Sequence, residues 1–324
     1  MHPAPSIIAF TTGSGAGYGL LFLLAMTAPA ELLPTRRWFG LAALTVALGL
    51  ITFGLIASLF HLGHPKRAWR ALSQWRSSWL SREGVMALLT YPPALVFGAG
   101  WVFGETTAGL FTPFALLAAV GAALTVYCTS MIYASLAPVR EWHHPLVPPI
   151  YLAFALMTGA LLLHALLALV GAPRVWSGLL ALVATAIAFA LKAAYWRMIA
   201  RAGPGPTPES ATGLGGLGKV RMLDPPHTQT NYLLSEMGYR VARRHVARLR
   251  RYAWLSGFAG ASLLTLLALL SSGGPAFLSA LLAALLGLVG VTIERWLFFA
   301  EATHTVTLYY GRRADRQEAG RCRA

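Results

Sequence analysis

The sequence has little charge and almost no cysteine. Only 11% of its 324 residues are charged, whereas 56% are hydrophobic and the mean hydropathy is +0.60. Soluble domains carry about 25% charged residues, so this composition predicts a polytopic membrane protein. The two cysteines, Cys128 and Cys322, exclude a disulfide framework and an iron–sulfur cluster held by four thiolates.

Several signatures of catalysis and redox chemistry are also missing. The chain has no GxSxG motif, no phosphate-binding glycine loop and no CxxC pair. Two haems held by histidine pairs need four histidines at membrane depth, and only His164 lies well inside an apolar stretch. We therefore expect no haem, and we predict that His164 is a hydrogen-bonded core residue.

Eight apolar stretches approach the roughly 20 residues that a bilayer crossing needs. They lie at residues 15–33, 38–60, 85–103, 114–136, 150–169, 176–196, 252–270 and 277–299. The pattern predicts an all-α bundle of eight transmembrane helices, with residues 1–324 as a single integral membrane domain and both termini on one side. No Lys or Arg precedes the first stretch, so we expect no cleaved signal peptide.

The basic residues are distributed very unevenly between the two sides. Of 26 Lys and Arg residues, 21 lie on the side of the termini and three on the other, with Lys192 and Arg295 inside stretches. Short basic loops stay in the cytoplasm, so we expect cytoplasmic termini. The net charge of +15 then reflects topology and contact with anionic lipid, not nucleic-acid binding.

One long loop, residues 197–251, interrupts the pattern between the sixth and seventh stretches. Its first half is rich in glycine and proline, which indicates turns and coil. Residues 235–251 have the periodicity of a basic amphipathic helix. This helix is expected to lie along the lipid headgroups or to form a docking surface for a soluble partner.

The segment between the second and third stretches suits a redox ring at the membrane boundary. A quinone site needs hydrogen-bond partners for two ring oxygens and a group that exchanges protons, and an imidazole and a carboxylic acid meet that need. His61 ends the second stretch and Glu83 opens the third, so both can reach one depth. The candidate quinone-binding residues are His61, Arg67, Arg70, Trp79 and Glu83, with His61 and Glu83 as the proton-exchanging pair.

Structural interpretations of the same residues stay open. His61 could cap a helix end ahead of Gly63, and Glu83 could form a salt bridge with Arg82 or Arg67. The basic residues could be solvated cations of the cytoplasmic side, and Trp79 could belong to the interfacial aromatic belt.

The eighth stretch contains two adjacent charged residues, Glu294 and Arg295. Neighbours on a helix point about 100° apart, so we expect each to have its partner elsewhere. Lys192 in the sixth stretch is the candidate partner of Glu294. Structural ion pairing and a proton path are both open for this group, since intramembrane charges serve either purpose.

The segment ASLFHLG at residues 57–63, together with Pro65, Arg67 and the LSRE run at 80–83, resembles the DmsC family of dimethyl sulfoxide reductase membrane anchors. The likeness covers essentially all eight stretches. The segments ATGLG at 211–215, PHT at 226–228, EMG at 236–238 and ERWLFFAE at 294–301 resemble a longer proteobacterial branch. That branch includes anchors of cytoplasm-facing sulfite dehydrogenases.

The resemblance implies a haem-free, quinone-reactive subunit of a three-part oxidoreductase in the bacterial inner membrane. Its partners would be a molybdopterin catalytic subunit and a ferredoxin-like subunit with iron–sulfur clusters, and its substrate ubiquinone or menaquinone. In that family a histidine and a glutamate at the positions of His61 and Glu83 are linked to quinol binding. The insertion at 197–251 departs from the shorter anchors, so partner identity and reaction direction stay open. A cytoplasmic partner agrees with the distribution of basic residues, which favours sulfite oxidation with quinone reduction and keeps S-oxide or N-oxide reduction as the alternative.

Two other functions remain possible on the sequence. A secondary transporter is suggested by Pro92 and Pro93 inside the third stretch and by the intramembrane charges, although no matching break lies in the second half. A passive tether would need only one span, so eight spans favour a further role.

Overall fold

Eight long apolar helices dominate the computed structural model, which describes residues 4–172, 175–203, 205–221, 223–224 and 241–310. Seven of the helices are α1 (Pro5–Thr27), α2 (Arg37–Leu59), α3 (Trp79–Gly104), α4 (Thr112–Ala134), α5 (Val147–Leu169), α6 (Val175–Arg201) and α8 (Gly273–Ala300). Helix α7 has three consecutive parts: an α-helical part Val241–Ala253, a π-helical segment Trp254–Gly260 and a second α-helical part Ala261–Leu270. No strand occurs in these ranges. The predicted all-α membrane fold with eight spans is confirmed.

Short elements occupy the connections. A 3₁₀ helix, Pro65–Leu72, lies between α2 and α3, and a second one, Gly109–Phe111, precedes α4. Beyond α6 come a short helix, Pro208–Thr212, and a 3₁₀ turn, Leu214–Leu217. A last 3₁₀ helix, Thr305–Tyr310, follows α8.

Helices α1 and α5 form the centre of the bundle. Their most apolar windows are 78% and 72% buried, against 33–44% for the other six spans. Gly19 of α1 lies against Ala155 of α5 so closely that a Cβ atom at Gly19 would stand 1.7 Å from the Ala155 carbonyl oxygen. Small residues let membrane helices approach in this way, and the other spans surround this central pair.

Helix α1 begins ten residues before the predicted stretch at 15–33. Its first turns contain Thr11, Thr12 and Ser14, which lower the local hydropathy but are buried inside the bundle. Thr11 and Ser14 donate hydrogen bonds to carbonyl oxygens of their own helix, at 2.9 and 2.6 Å. The Thr11 and Ser14 hydroxyls therefore need no water, whereas the buried Thr12 hydroxyl has no hydrogen-bond partner in the described ranges.

Large apolar side chains cover the outer faces of the peripheral helices. Phe53, Leu88, Leu117 and Val183 are each more than half exposed. Such a surface suits hydrocarbon and not water. The chain is a multi-pass membrane protein.

Helix α7 is longer than the seventh apolar stretch. The structure describes it from Val241, so residues 241–251 of the predicted basic amphipathic helix run directly into the span as one helix. Residues 225–240, which hold the start of that predicted helix, lie outside the described part. Whether the helix contacts headgroups or a partner stays a prediction.

Candidate functional site

Glu83 is a buried carboxylic acid in the second turn of α3. Its side chain is 5% exposed, and its hydrogen-bond partner is the Thr129 hydroxyl of α4. Helices α3 and α4 pack closely here, because a Cβ atom at Gly121 would lie 2.6 Å from the Thr90 hydroxyl. Gly121, Thr125 and Thr129 recur every four residues, so they form one face of α4 that meets α3. Sequence reasoning missed Thr129, and only this four-residue spacing of small polar residues could have pointed to it.

The Thr129 hydroxyl can serve either protonation state of Glu83. It lies 3.0 Å from the Thr125 carbonyl oxygen as well as within hydrogen-bond range of Glu83. A hydroxyl has one proton and two lone pairs. It can donate to an ionised Glu83, or donate to Thr125 while it accepts the proton of a neutral Glu83. The pair is therefore suited to proton exchange.

Arg82, the neighbour of Glu83, points away from it. Its guanidinium donates to the carbonyl oxygens of Trp75 at 2.9 Å and Arg76 at 2.6 Å, and it lies 4.3 Å from the centre of the Trp79 ring. Within the described residues no cation forms an ion pair with Glu83. The alternative of a salt bridge from Glu83 to Arg82 or Arg67 is therefore wrong.

The connection between α2 and α3 folds back over the start of α3. A Cβ atom at Gly84 would lie 2.7 Å from Leu72, so the 3₁₀ helix packs directly beside Glu83. Trp79 is partly buried, and its ring meets Tyr127 of α4 edge-on with 5.9 Å between centroids. Trp79 and Glu83 thus stand one helical turn apart beneath this connection.

The other predicted quinone-site residues are exposed. His61, Arg67 and Arg70 all lie on the surface of the connection. No hydrogen bond or ion pair joins any of the three to Glu83 in the described ranges, and Arg70 lies over the Trp69 ring at 5.5 Å. The structure therefore brings Trp79 and Glu83 together and leaves His61 apart from them. The role of His61 stays a prediction.

A second polar group lies deeper in the bundle. Lys192 of α6 and Glu294 of α8 form an ion pair, as predicted, and both are almost fully buried. Arg295 departs from the prediction, because its Nε lies 3.1 Å from Oε2 of its neighbour Glu294. Its guanidinium bends back across the helix surface and stacks on the Tyr151 ring at 3.8 Å. The charge cluster Lys192, Glu294 and Arg295 thus holds two cations and one carboxylate.

A small cavity of about 20 Å³ separates the two polar groups. Thr129 lines it on one side, and Tyr151 and Arg295 line it on the other. Tyr151, missed by sequence reasoning, is buried and lies beneath the Arg295 guanidinium. A cavity of this size with polar walls can hold a water molecule.

Three further polar side chains, those of His164, Glu141 and Glu301, have partners within the chain. As predicted, the ring of His164 is buried and hydrogen-bonded, with Ser177 as its partner at 2.9 Å. Glu141, between α4 and α5, accepts hydrogen bonds from the backbone and hydroxyl of Thr303 at 3.1 and 2.7 Å. Burial raises the pKa of Glu301, which follows α8, and its ion pair with Arg250 at 2.8 Å opposes that shift.

The described ranges contain no group of three His, Cys, Asp or Glu side chains that could hold a metal ion. What the site offers is a carboxylic acid, a hydroxyl and an indole at the start of a membrane helix.

A family model described as the DMSO reductase anchor subunit (DmsC) matches residues 1–311. The chain belongs to the DmsC family. It is 35% identical to the C subunit of the sulfite dehydrogenase of Allochromatium vinosum, over 96% of this chain and 99% of that protein. It is 26% identical to the C polypeptide of the anaerobic dimethyl sulfoxide reductase of Escherichia coli, over 52% of this chain and 59% of that one. The predicted membership is confirmed.

Proposed function

We propose that this DmsC-family anchor is the quinone-reactive membrane subunit of a molybdopterin and iron–sulfur oxidoreductase. The observation that carries the proposal is the buried Glu83 at the start of a membrane helix, which bonds a hydroxyl and pairs with no cation among the described residues. An isolated carboxylate is costly in an apolar region. Such a group is rare in a helix interior without a chemical role.

The residues around Glu83 fit a quinone ring. Thr129 and Glu83 provide hydrogen bonds for a ring oxygen, and Trp79 offers an aromatic face beneath the connection between α2 and α3. When bound, a quinone supplies two-electron chemistry linked to two protons. The chain's part is to hold the ring, to exclude bulk water through the packed connection, and to exchange a proton at the Glu83 carboxyl.

The exposed residues of the connection have supporting roles in this proposal. In this proposal His61 relays protons between the site and water, and its ring is exposed. Arg67 and Arg70 give the surface of the connection a positive potential that favours negative charge on a reduced ring.

Electrons would pass to an iron–sulfur subunit on the side of the termini, and from it to a molybdopterin subunit. The charge asymmetry supports a cytoplasmic position for that side and a location in the bacterial inner membrane. Similarity over nearly the whole length of a sulfite dehydrogenase subunit favours sulfite as the electron donor and the quinone as the acceptor. The shorter match to a dimethyl sulfoxide reductase polypeptide supports the reverse direction as the second candidate.

The test compares two activities of the purified complex. We expect Glu83→Gln and Thr129→Val to abolish or strongly reduce quinone-linked turnover, while oxidation or reduction with an artificial dye at the partner subunits survives. Glu105→Gln is the matched control, because Glu105 ends the same helix, is exposed, and pairs only weakly with Arg37 at 3.8 Å.

Normal quinone kinetics in both site variants would reject the assignment of the site. If the unmodified complex also failed to bind any quinone analogue, the passive tether would replace the proposal. Substrate uptake by vesicles that contain this chain alone would instead favour the transporter.

A further inference from the structure

A groove runs along the lipid-facing seam between α6 and α7. Two open volumes, of about 550 and 370 Å³, share Trp254 and Leu255 and so form one continuous feature. On α6 the lining extends from Thr185 to Ala200, which corresponds to about 22 Å along the helix axis. Half of a bilayer's hydrocarbon core is about 15 Å thick. The groove is therefore long enough to span one half of the hydrocarbon core and reach the headgroup level on the side of the termini.

The packing of α7 on α8 explains why the groove exists. Gly257, in the π-helical segment of α7, lies against Gly290 of α8, where a Cβ atom at Gly290 would stand 2.2 Å from the Gly257 Cα. This contact holds the middle of α7 directly on α8. The opposite side of the same segment faces α6 across the groove, with Phe189, Leu255 and Ala259 among its walls.

The two ends of the groove differ in chemistry. The membrane end is lined mainly by Phe189, Phe258 and aliphatic side chains. At the termini-side end stand three arginines, and Arg250 is already paired with Glu301 at 2.8 Å. Arg197 and Arg251 are exposed and have no ion-pair partner in the described ranges. Two guanidinium groups are thus free where an apolar groove opens to the headgroups.

Two indole rings stand at this opening. Trp196 and Trp254 stack with 6.2 Å between their centroids and 19° between their planes. Tryptophan is typical of the headgroup level. Trp254 is exposed and fits that level at the arginine-lined end of the groove, whereas Trp196 is buried.

We propose that this groove is a binding site for an anionic phospholipid. One acyl chain lies along the apolar walls between α6 and α7, and the phosphate diester bonds Arg197 and Arg251. Charge complementarity selects this occupant, because guanidinium groups bind phosphate oxygens in bidentate geometry and basic pockets between helices retain anionic headgroups. A quinone head carries no charge that would need two arginines.

The test measures lipid binding to the purified full-length chain by native mass spectrometry, with phosphatidylglycerol and phosphatidylcholine as the two probes. We expect the chain to prefer phosphatidylglycerol. Because one basic residue near anionic lipid contributes about fivefold in affinity, the double variant R197Q/R251Q should bind phosphatidylglycerol about 30-fold more weakly. Its affinity for phosphatidylcholine should fall less, because the choline cation of this zwitterionic lipid offsets the charge of its phosphate.

Three further variants make the test specific. Arg201→Gln is the matched control, because Arg201 lies one turn beyond Arg197 on α6 and outside the groove lining, and it should keep full binding. R197K/R251K keeps both positive charges and should retain most of the phosphatidylglycerol binding. Ala259→Phe fills the apolar part and should weaken binding of both lipids.

Equal affinity for the two lipids in the unmodified chain would overturn the proposal. So would unchanged phosphatidylglycerol binding in R197Q/R251Q, or an equal loss in the Arg201→Gln control. A quinone or a protein segment in the groove, found in an experimental map of the lipid-supplemented complex, would also overturn it. None of these outcomes depends on the quinone site at Glu83.

Discussion

Loss of the carboxylate and loss of one cation from the charge cluster should destabilise the protein by different amounts. Lys192, Glu294 and Arg295 are at most 2% exposed and together carry two positive charges and one negative charge. Glu294→Gln would leave two buried cations whose nearest remaining carboxylate, Glu301, is already paired with Arg250. Lys192→Met would leave a neutral pair of Glu294 and Arg295, with a straight apolar side chain in place of the lysine. The removal of the single carboxylate should therefore cost much more than the removal of one cation.

The magnitudes follow from the buried position. Breaking a buried ion pair by removal of one partner costs about 3–5 kcal/mol, because a charge is left uncompensated. Glu294→Gln falls in this class. For Lys192→Met we expect less than about 2 kcal/mol, since the remaining pair is neutral and hydrophobic replacement of a buried charge is often tolerated.

The assay is unfolding of the purified chain by titration of mixed micelles with dodecyl sulfate, followed by helical circular dichroism. Arg201→Gln, an exposed cation on the same helix as Lys192, should change the free energy of unfolding by less than about 0.5 kcal/mol. If Lys192→Met were as destabilising as Glu294→Gln, the explanation that uncompensated charge sets the loss of stability would be refuted. A loss of quinone-linked turnover in correctly folded Glu294→Gln would favour a proton path over structural pairing.

Three more outcomes can be checked on single variants. Gly19→Val should prevent accumulation of folded protein in membranes, because even a Cβ atom at Gly19 would overlap the Ala155 carbonyl, and immunoblotting of membranes measures this. Thr129→Ser should keep quinone-linked turnover within a few-fold of normal, whereas Thr129→Val should lose it, because only serine retains the hydroxyl that bonds Glu83. Arg250→Gln should make thermal stability fall more steeply between pH 5 and pH 8, because Arg250 opposes the raised pKa of Glu301.

The sign of the last prediction follows from linkage. A carboxyl group whose pKa is raised on folding contributes stability below its unfolded pKa, and that contribution is lost as the pH rises through the folded pKa. Without Arg250 the shift of Glu301 grows, so the loss toward pH 8 grows with it. A flat pH profile in Arg250→Gln, or one that falls toward pH 5, would contradict the attribution to Glu301.

The pairing of Lys192 with Glu294 shows what can be predicted without coordinates. Charged side chains in apolar stretches need opposite charges at a similar depth, and few were available. The contact between Glu294 and Arg295 could not be predicted in the same way. Helix geometry separates the directions of neighbouring side chains, and only the crowded surroundings of Arg295, with Tyr151 beneath it, bend its guanidinium back.

The candidate site at Glu83 shows the limit more clearly. The sequence indicated Glu83 and His61 together, because both flank the same short connection. Only the four-residue spacing of Gly121, Thr125 and Thr129 hinted at the contact of Glu83 with Thr129, 46 residues away, and nothing indicated that His61 would stay exposed. Which face of α3 meets α4 depends on the close fit of Gly121 against Thr90.

The sequence by itself determined the number of spans, the fold class and the family, because each helix in lipid must satisfy its own backbone hydrogen bonds and so carries its signal locally. Only the tertiary structure decided the start of α1 at Pro5, the partner of Glu83, and the groove between α6 and α7. These features depend on how helices distant in the chain rotate and approach one another. Close contacts at single glycines such as Gly19 and Gly257 set that rotation, and average hydropathy contains no record of it.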